Sequence, residues 1–259
     1  MQDKVIVVTG ASAGIGAALA EKLAARGARL VLVARRRALL DAIAAPWGDR
    51  VVVVEGDVRE EPTSLRAAEA GLARFGRLDA WVNNAGRGIT RAVTALTDDD
   101  LDEMMRVNVK PLLYSVRAAL PTFRAQGAGH FVQVSSMLGR VPFASFRSAY
   151  SASKHALNAL SANLRMELRE TAPGVAVSTV HPGPVATEFG VASLHGGVDS
   201  RKIPGAQSAA EVADVIVDVL ETRSADIYTQ PGGRAMVLGY LGAEDLAEAE
   251  SRPPFVRPR

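Results

Sequence analysis

Short Val-rich runs alternate with longer segments of helical period along most of the 259-residue chain. That alternation leaves few architectures open. Parallel strands need long crossovers, and crossover helices cover both faces of the sheet they connect. The runs "KVIVV" (4–8), "RLVLVA" (29–34), "RVVVVE" (50–55), "LDAWVN" (78–83), "HFVQVS" (130–135), "VAVSTVH" (175–181) and "DIYTQ" (226–230) predict strands. Between them, helices are predicted at about 14–26, 36–44, 63–75, 98–125, 150–171 and 208–221. The expected fold class is α/β, a doubly wound parallel sheet with helices on both faces. No change of composition or low-complexity linker divides the chain, so residues 1–259 are expected to form one domain.

Local chemistry marks several boundaries. Thr97 is an expected N-cap with Asp100 at N3, and "SAAE" (208–211) reads as a capping box. Pro173 and Gly174 are expected to end the long helix before them. The stretch from Pro182 to Gln207 has no periodic pattern and contains Gly190, Gly196, Gly197, Pro204 and Gly205. A loop of that length inside a domain points to function or disorder, and residues 186–206 are expected to act as a lid. The last residues, from about 247, read as a loose Pro/Arg-rich tail in which Arg252, Arg257 and Arg259 meet no acid.

Composition narrows the function classes. Thirty basic residues against 28 acidic ones give a net charge of +2, with no basic stripe or aromatic reading surface, which argues against nucleic acid as a partner. With no cysteine, disulfides, thiolate metal sites and a cysteine nucleophile are excluded. No His/Asp/Glu group has convincing metal-ligand spacing. No apolar run approaches the roughly 18 residues of a membrane span, and "MQDKVIVVTG" lacks a targeting pattern, so a cytoplasmic chain is expected.

In "VVTGASAGIGAALAEKL" a strand runs into a turn holding Gly10, Gly14 and Gly16 and then into a helix. Glycines there permit a tight turn and close backbone approach to a pyrophosphate, which the free N–H groups of the helix start would face. An ordinary glycine turn remains the alternative. The next strand ends "VARRR", so Ala34 stands where an NAD site usually places the acid that holds the ribose 2′-hydroxyl. Arg35, Arg36 and Arg37 follow, and a guanidinium suits a 2′-phosphate. NADP is favoured over NAD, with Arg37 open to a plainer role at a helix start. Asp57 follows the third strand, and Asn83 to Gly86 follow the fourth. Four strand ends thus supply one rim, where ligands of such sheets bind.

Taken in order, "TGASAGIG" (9–16), "NNAG" (83–86), Asn108 in "RVNV", Ser136 ahead of "YSASK" (150–154), and "HPGPVAT" (181–187) resemble the short-chain dehydrogenase/reductase family over at least residues 4–230. The resemblance implies a Rossmann-like sheet of about seven strands and an NAD(P)-dependent oxidoreductase of alcohols and carbonyls. It implies Tyr150 as general acid/base, Lys154 as its partner, Ser136 as donor to the substrate oxygen and Asn108 in a proton path. For the cofactor it implies the turn (Gly10, Ser12, Gly14, Ile15, Gly16), Arg35 at the NADP-selecting position, and Asp57 near the adenine with Val58 beside it. Asn83, Asn84, Ala85 and Gly86 would run along the adenosine side, and Pro182, Gly183, Val185 and Thr187 would lie toward the nicotinamide, with Tyr150 and Lys154 touching it. Homodimers or homotetramers built on the helices 98–125 and 150–171 are implied as well. Two departures stand out: Ala13 occupies the turn position where NADP-preferring members often carry a second basic residue, and Ser136 is slightly further from Tyr150 than usual, which keeps Ser135 open as the catalytic serine.

The proposed chemistry makes physical sense of "SAYSASKHAL" (148–157). Lys154 is four positions after Tyr150, so both side chains share a helix face. An ammonium there favours the phenolate, and a shift of two to three units would need roughly 3–4 kcal/mol. Met137, Phe143, Phe146, Phe189, Val191 and Leu194 are expected around a largely apolar pocket that also includes Ser136, which suits a hydrophobic alcohol or carbonyl substrate. His155 is expected in packing or at the polar surface, His181 in a structural role, and His195 is a possible substrate contact. The alternative to an enzyme is a dinucleotide-binding regulator on the same fold, which would have no need of Tyr150, Lys154, Ser136 and Asn108 together.

Overall fold

A computed structural model describes residues 1–255 of the chain. Strands β1 (Val5–Thr9), β2 (Arg29–Ala34), β3 (Val51–Glu55), β4 (Ala80–Asn83), β5 (Gly129–Val134), β6 (Val175–His181) and β7 (Asp226–Tyr228) form one sheet in the order β3-β2-β1-β4-β5-β6-β7. Every neighbouring pair is parallel; Val7, for example, faces Val31 of β2 on one side and Trp81 of β4 on the other. The helices are α1 (Gly14–Ala25), α2 (Arg37–Ala44), α3 (Glu61–Phe75), α4 (Asp98–Asn108), α5 (Lys110–Gln126), α6 (Ser148–Thr171), α7 (Ala209–Thr222), α8 (Gly233–Leu241) and α9 (Leu246–Glu250).

The sheet is apolar on both faces because both are covered, so its strands are continuous Val/Leu/Ile runs rather than alternating ones. Successive residues serve opposite layers. Ile6, Val8, Leu30 and Leu32 pack under α1 and α7 with Leu19, Leu23, Ile216 and Leu220. Val5, Val7, Val31 and Val33 face the layer of α3, α5 and α6 with Phe123, Leu157, Leu164 and Leu168. The direction in which strands are added to the sheet reverses between β1 and β4, since β2 lies on one side of β1 and β4 on the other. A crevice therefore opens beyond their C-terminal ends.

Element boundaries agree with the sequence reading to within about two residues, with one structural difference. The helix expected over 98–125 is two helices, α4 and α5, broken at Val109. Pro111 has no N–H and disfavours helical geometry before it, so it opens a new helix rather than continuing the old one. The expected caps are present at Thr97 and Ser208. Ser208 Oγ accepts from Glu211 N (3.1 Å) while Glu211 Oε2 accepts from Ser208 N (2.7 Å). Ser208→Ala should cost about 1 kcal/mol in urea denaturation. A change within error would mean that the cap contributes nothing to global stability.

Part of the expected loose tail is ordered. It forms α9, Arg252 pairs with Glu248, and the Phe255 ring lies 5.2 Å from that of Tyr240. The apolar character of Phe255 explains the fold-back, since it joins Met137, Val141, Val237 and Tyr228 in a small cluster. Arg257 and Arg259 lie outside the described residues.

Candidate functional site

The crevice at the C-terminal ends of the strands is a cavity of about 1480 Å³ that reaches from α2 to the segment around Phe255. At its floor is the glycine turn. Gly10 has φ +67°, and a Cβ there would stand 2.8 Å from Ala85 Cα; one on Gly16 would stand 2.3 Å from Gly10 O. The turn and the β4 end are tied together. Thr9 Oγ1 accepts from the N–H groups of Asn84 and Ala85 (3.1 Å each), and Asn84 Nδ2 donates to Thr9 O (2.9 Å). No side chain caps α1, so its first N–H groups remain available to an anion in the crevice. A backbone cradle with room for no Cβ fits a pyrophosphate.

Ser12, Gly14, Ile15, Val58, Ala85, Gly86, Pro182, Gly183, Val185 and Thr187 all line the cavity. Asn83 does not. Its Nδ2 donates to Ser115 Oγ (2.7 Å) and its Oδ1 accepts from Trp81 Nε1 (3.0 Å). As the last residue of β4 it alternates to the buried face, so it braces the sheet where a cofactor contact was expected. Gly16 likewise lies beneath the cavity wall.

At one end, Arg35 and Arg36 project from the end of β2 into the same space. Arg37 instead begins α2 and pairs with Asp41 (2.8 Å). Arg36 Nη2 and Nε lie 3.1 and 3.3 Å from Ser12 Oγ across the glycine turn. It brings a guanidinium to the turn where Ala13 supplies none. Asp57 is held by Arg59, which also reaches Glu103. Burial alone would raise the Asp57 carboxyl, but the hydrogen bonds and charge of Arg59 outweigh it and leave it below its ordinary value.

At the other end, α6 and the turn after β5 bring Ser136, Tyr150 and Lys154 together. Tyr150 is 8% exposed and Lys154 4%. Lys154 Nζ donates to Val134 O (2.9 Å) and lies 5.7 Å from the Tyr150 ring centroid. Ser136 Oγ accepts from Leu138 N (3.1 Å) and lies beside the phenol. Ser135 also lines the cavity, with its hydroxyl buried and unpartnered. Burial pushes Tyr150 up to about 12, against smaller opposing effects of Ser136 and Arg147, and draws Lys154 down to about 8. With the protein's own groups, therefore, the tyrosine is raised rather than lowered as expected from the i,i+4 pair. Both charged forms lose hydration in the same dry site.

Asn108 closes α4 behind this pair. Its Nδ2 donates to Arg87 O (3.0 Å) and Ser153 Oγ (3.1 Å), and its Oδ1 accepts from Arg87 N (3.0 Å). It is locked by backbone partners outside the cavity wall.

Met137, Phe143, Phe146 and Phe189 wall the pocket, and Phe189 meets the Tyr150 ring edge-on at 5.6 Å. Leu194 and Val191 do not line it. Leu194 is drawn behind the wall to Ile89 and Met104, fixed by Leu194 N–Gly88 O (2.9 Å) and Thr90 N–Leu194 O (3.0 Å), while Val191 faces solvent. His195 Nε2 is 2.7 Å from Asp100 Oδ1, so it fastens the loop to α4. Phe255 and Pro254 were not expected at the pocket, yet they form part of its far wall.

His181 is structural, as expected. Nε2 is 2.8 Å from Asp226 Oδ1, Arg140 Nη2 donates to the same oxygen (2.7 Å), and the ring stacks on Tyr228 at 4.9 Å. Burial would raise Asp226, but the His181 hydrogen bond and the nearby charges bring it to about 2. A depressed carboxyl contributes stability that is complete above its unfolded pKa of about 4 and is lost as pH falls toward about 2. Asp226→Asn should cost about 1–2 kcal/mol near neutral pH, after allowing for solvent screening, and progressively less below about pH 4. Urea titrations at both ends of that window check it.

The crevice holds the glycine turn at its floor and the buried Tyr150/Lys154 pair at one end. The model of the short chain dehydrogenase family matches residues 4–195. An uncharacterized oxidoreductase of Staphylococcus epidermidis is 34% identical over 220 residues, 85% of this chain and 92% of the relative. A short-chain dehydrogenase/reductase from Burkholderia phymatum, solved in complex with NAD, superposes with a TM-score of 0.85 at 27% identity, over 100% of this chain and 98% of that one. An alcohol dehydrogenase from Thermococcus sibiricus complexed with 5-hydroxy-NADP gives 0.76 at 28% identity, over 88% and 96%. The chain belongs to the short-chain dehydrogenase/reductase family of oxidoreductases. Among the described residues no helix is long and apolar enough to cross a membrane, and no cluster of His, Asp and Glu could hold a metal.

Proposed function

We propose that the protein is an NADP(H)-dependent oxidoreductase that interconverts an alcohol and a carbonyl, with Tyr150 as the acid/base. The observation that carries this reading is one cavity with Arg35 and Arg36 at one end and Ser136, Tyr150 and Lys154 at the other. The nicotinamide, when bound, supplies or accepts the hydride. Ser136 hydrogen-bonds the substrate oxygen and orients it. Tyr150, whose phenol keeps its proton at neutral pH, delivers it to that oxygen in reduction and takes it back in oxidation. Lys154, fixed by Val134 O, favours the phenolate that remains. Asn108 holds Arg87 and Ser153 in place around Lys154 and extends the path by which the pair regains its proton. The aromatic wall favours a substrate with an apolar body.

Self-association as a dimer or tetramer is supported by exposed apolar side chains on α4–α6, namely Leu101, Leu113, Leu160 and Met166. Fluorescence titration with NADPH and NADH, followed by turnover on ketones and aldehydes, tests the function. Tighter NADPH binding with turnover supports it, stronger NADH binding overturns the NADP assignment, and binding without turnover on any substrate favours a regulator.

A further inference from the structure

The arginines around the cavity divide into two kinds. Arg59 pairs with Asp57 and Glu103, Arg87 with Glu103, and Arg201 with Asp199 and Glu188. Arg35, Arg36 and Arg147 line the same cavity and have no carboxylate within ion-pair distance among the described residues. The first two sit where a phosphate is expected. Arg147 sits at the opposite end, as the N-cap residue of α6, three positions before Tyr150.

Its surroundings do not neutralise it. Nη1 donates to Ser193 Oγ (2.6 Å) and Ile89 O (3.4 Å), and the guanidinium carbon lies 5.8 Å from the Phe146 ring centroid. Nε and Nη2 donate to no described protein group. Both partners of Nη1 are neutral, and Tyr150 holds its proton at neutral pH, so neither offers a standing counter-charge. Burial accordingly disfavours the Arg147 cation. A part-buried guanidinium with two donors open to the cavity, among aromatic walls, is placed to take an anion from it. The planar fork suits a carboxylate.

We propose that Arg147 recognises a carboxylate on the same molecule as the reacting group, making the substrate an oxo acid or hydroxy acid with an apolar body. This substrate class rests on the oxidoreductase reading above; the anion site itself does not.

The test is calorimetric binding to the protein saturated with NADP⁺. The probes are phenylacetate, 3-phenylpropanoate and 4-phenylbutanoate, each against its primary amide. Wild type should bind at least one acid about 10- to 100-fold more tightly than its amide, the range for a charge-assisted contact. Arg147→Met should abolish that preference and Arg147→Lys retain part of it. Ser193→Ala, which removes the loop tether but keeps the guanidinium, should leave it unchanged. Equal binding of acids and amides by wild type overturns the inference without any variant. So does a preference that survives in Arg147→Met, or one lost equally in Ser193→Ala. Turnover of the matching 2-oxo and 3-oxo acids and their methyl esters is read separately. An Arg147-dependent acid preference without turnover of any carbonyl sinks the oxidoreductase reading and leaves the anion site. Turnover of acids and esters alike, without any acid preference in binding, does the reverse.

Discussion

Replacing Tyr150 by Phe is expected to lower kcat by about 10³–10⁴-fold while leaving dinucleotide affinity within about threefold. The variant keeps the ring, and with it the edge contact to Phe189 and the packing against Ile89 and Met104. Only the proton donor is removed. Stopped-flow single turnover separates that chemical step from product release. A loss of only a few-fold would mean that the proton reaches the substrate by another route, and the assignment of Tyr150 would fall.

The balance at this pair differs from a simple picture of an ammonium lowering a phenol. In a site this dry, burial disfavours the phenolate and the ammonium together, so Tyr150 moves up to about 12 and Lys154 down to about 8. A phenol near 12 is a ready proton holder and a reluctant base. With the protein's own groups the phenol therefore stays protonated at neutral pH. Oxidation should gain from rising pH, because it needs the phenolate. If the oxidation rate were flat from neutral to alkaline pH in single turnover, the proton transfer would not limit that step.

Much of the fold is legible from local chemistry. The strands are contiguous β-branched runs and the caps at Thr97 and Ser208 are sequence-local, so both could be read directly. The break at Val109 was also encoded, in Pro111, but a continuous apolar period across it masked the signal. The site divides along a similar line. Positions set by a strand end or by i,i+4 spacing, such as the glycine turn, Asp57 and the Tyr150/Lys154 face, were readable. Asn83 was misplaced because alternation along β4, not proximity to the next residue, decides its direction. Leu194 and Val191 were misplaced because loop register depends on the long-range pairing of Leu194 with Gly88 and Thr90. Arg147 is not legible as a site residue for a different reason. What distinguishes it is the lack of an acid nearby in space, and spacing along the chain carries no such information.

Alanine at both Arg35 and Arg36 is expected to weaken NADPH binding by about 10²–10³-fold and NADH binding by less than about threefold, since each charge-assisted contact is worth about tenfold or more. Both guanidinium groups are exposed, so the effect should shrink as salt rises. The single variants should separate two roles. Arg35 touches no described protein group by hydrogen bond, so Arg35→Ala should act on the 2′-phosphate alone. Arg36 also rests on Ser12 Oγ, and its loss could loosen the glycine turn for either dinucleotide. Ser12→Ala removes that brace without removing the charge. If Ser12→Ala and Arg36→Ala weaken NADPH and NADH alike, Arg36 is a support for the turn and the NADP preference rests on Arg35. If the double variant leaves NADPH affinity unchanged, Ala34 at the end of β2 has merely lost an acid without gaining a phosphate site.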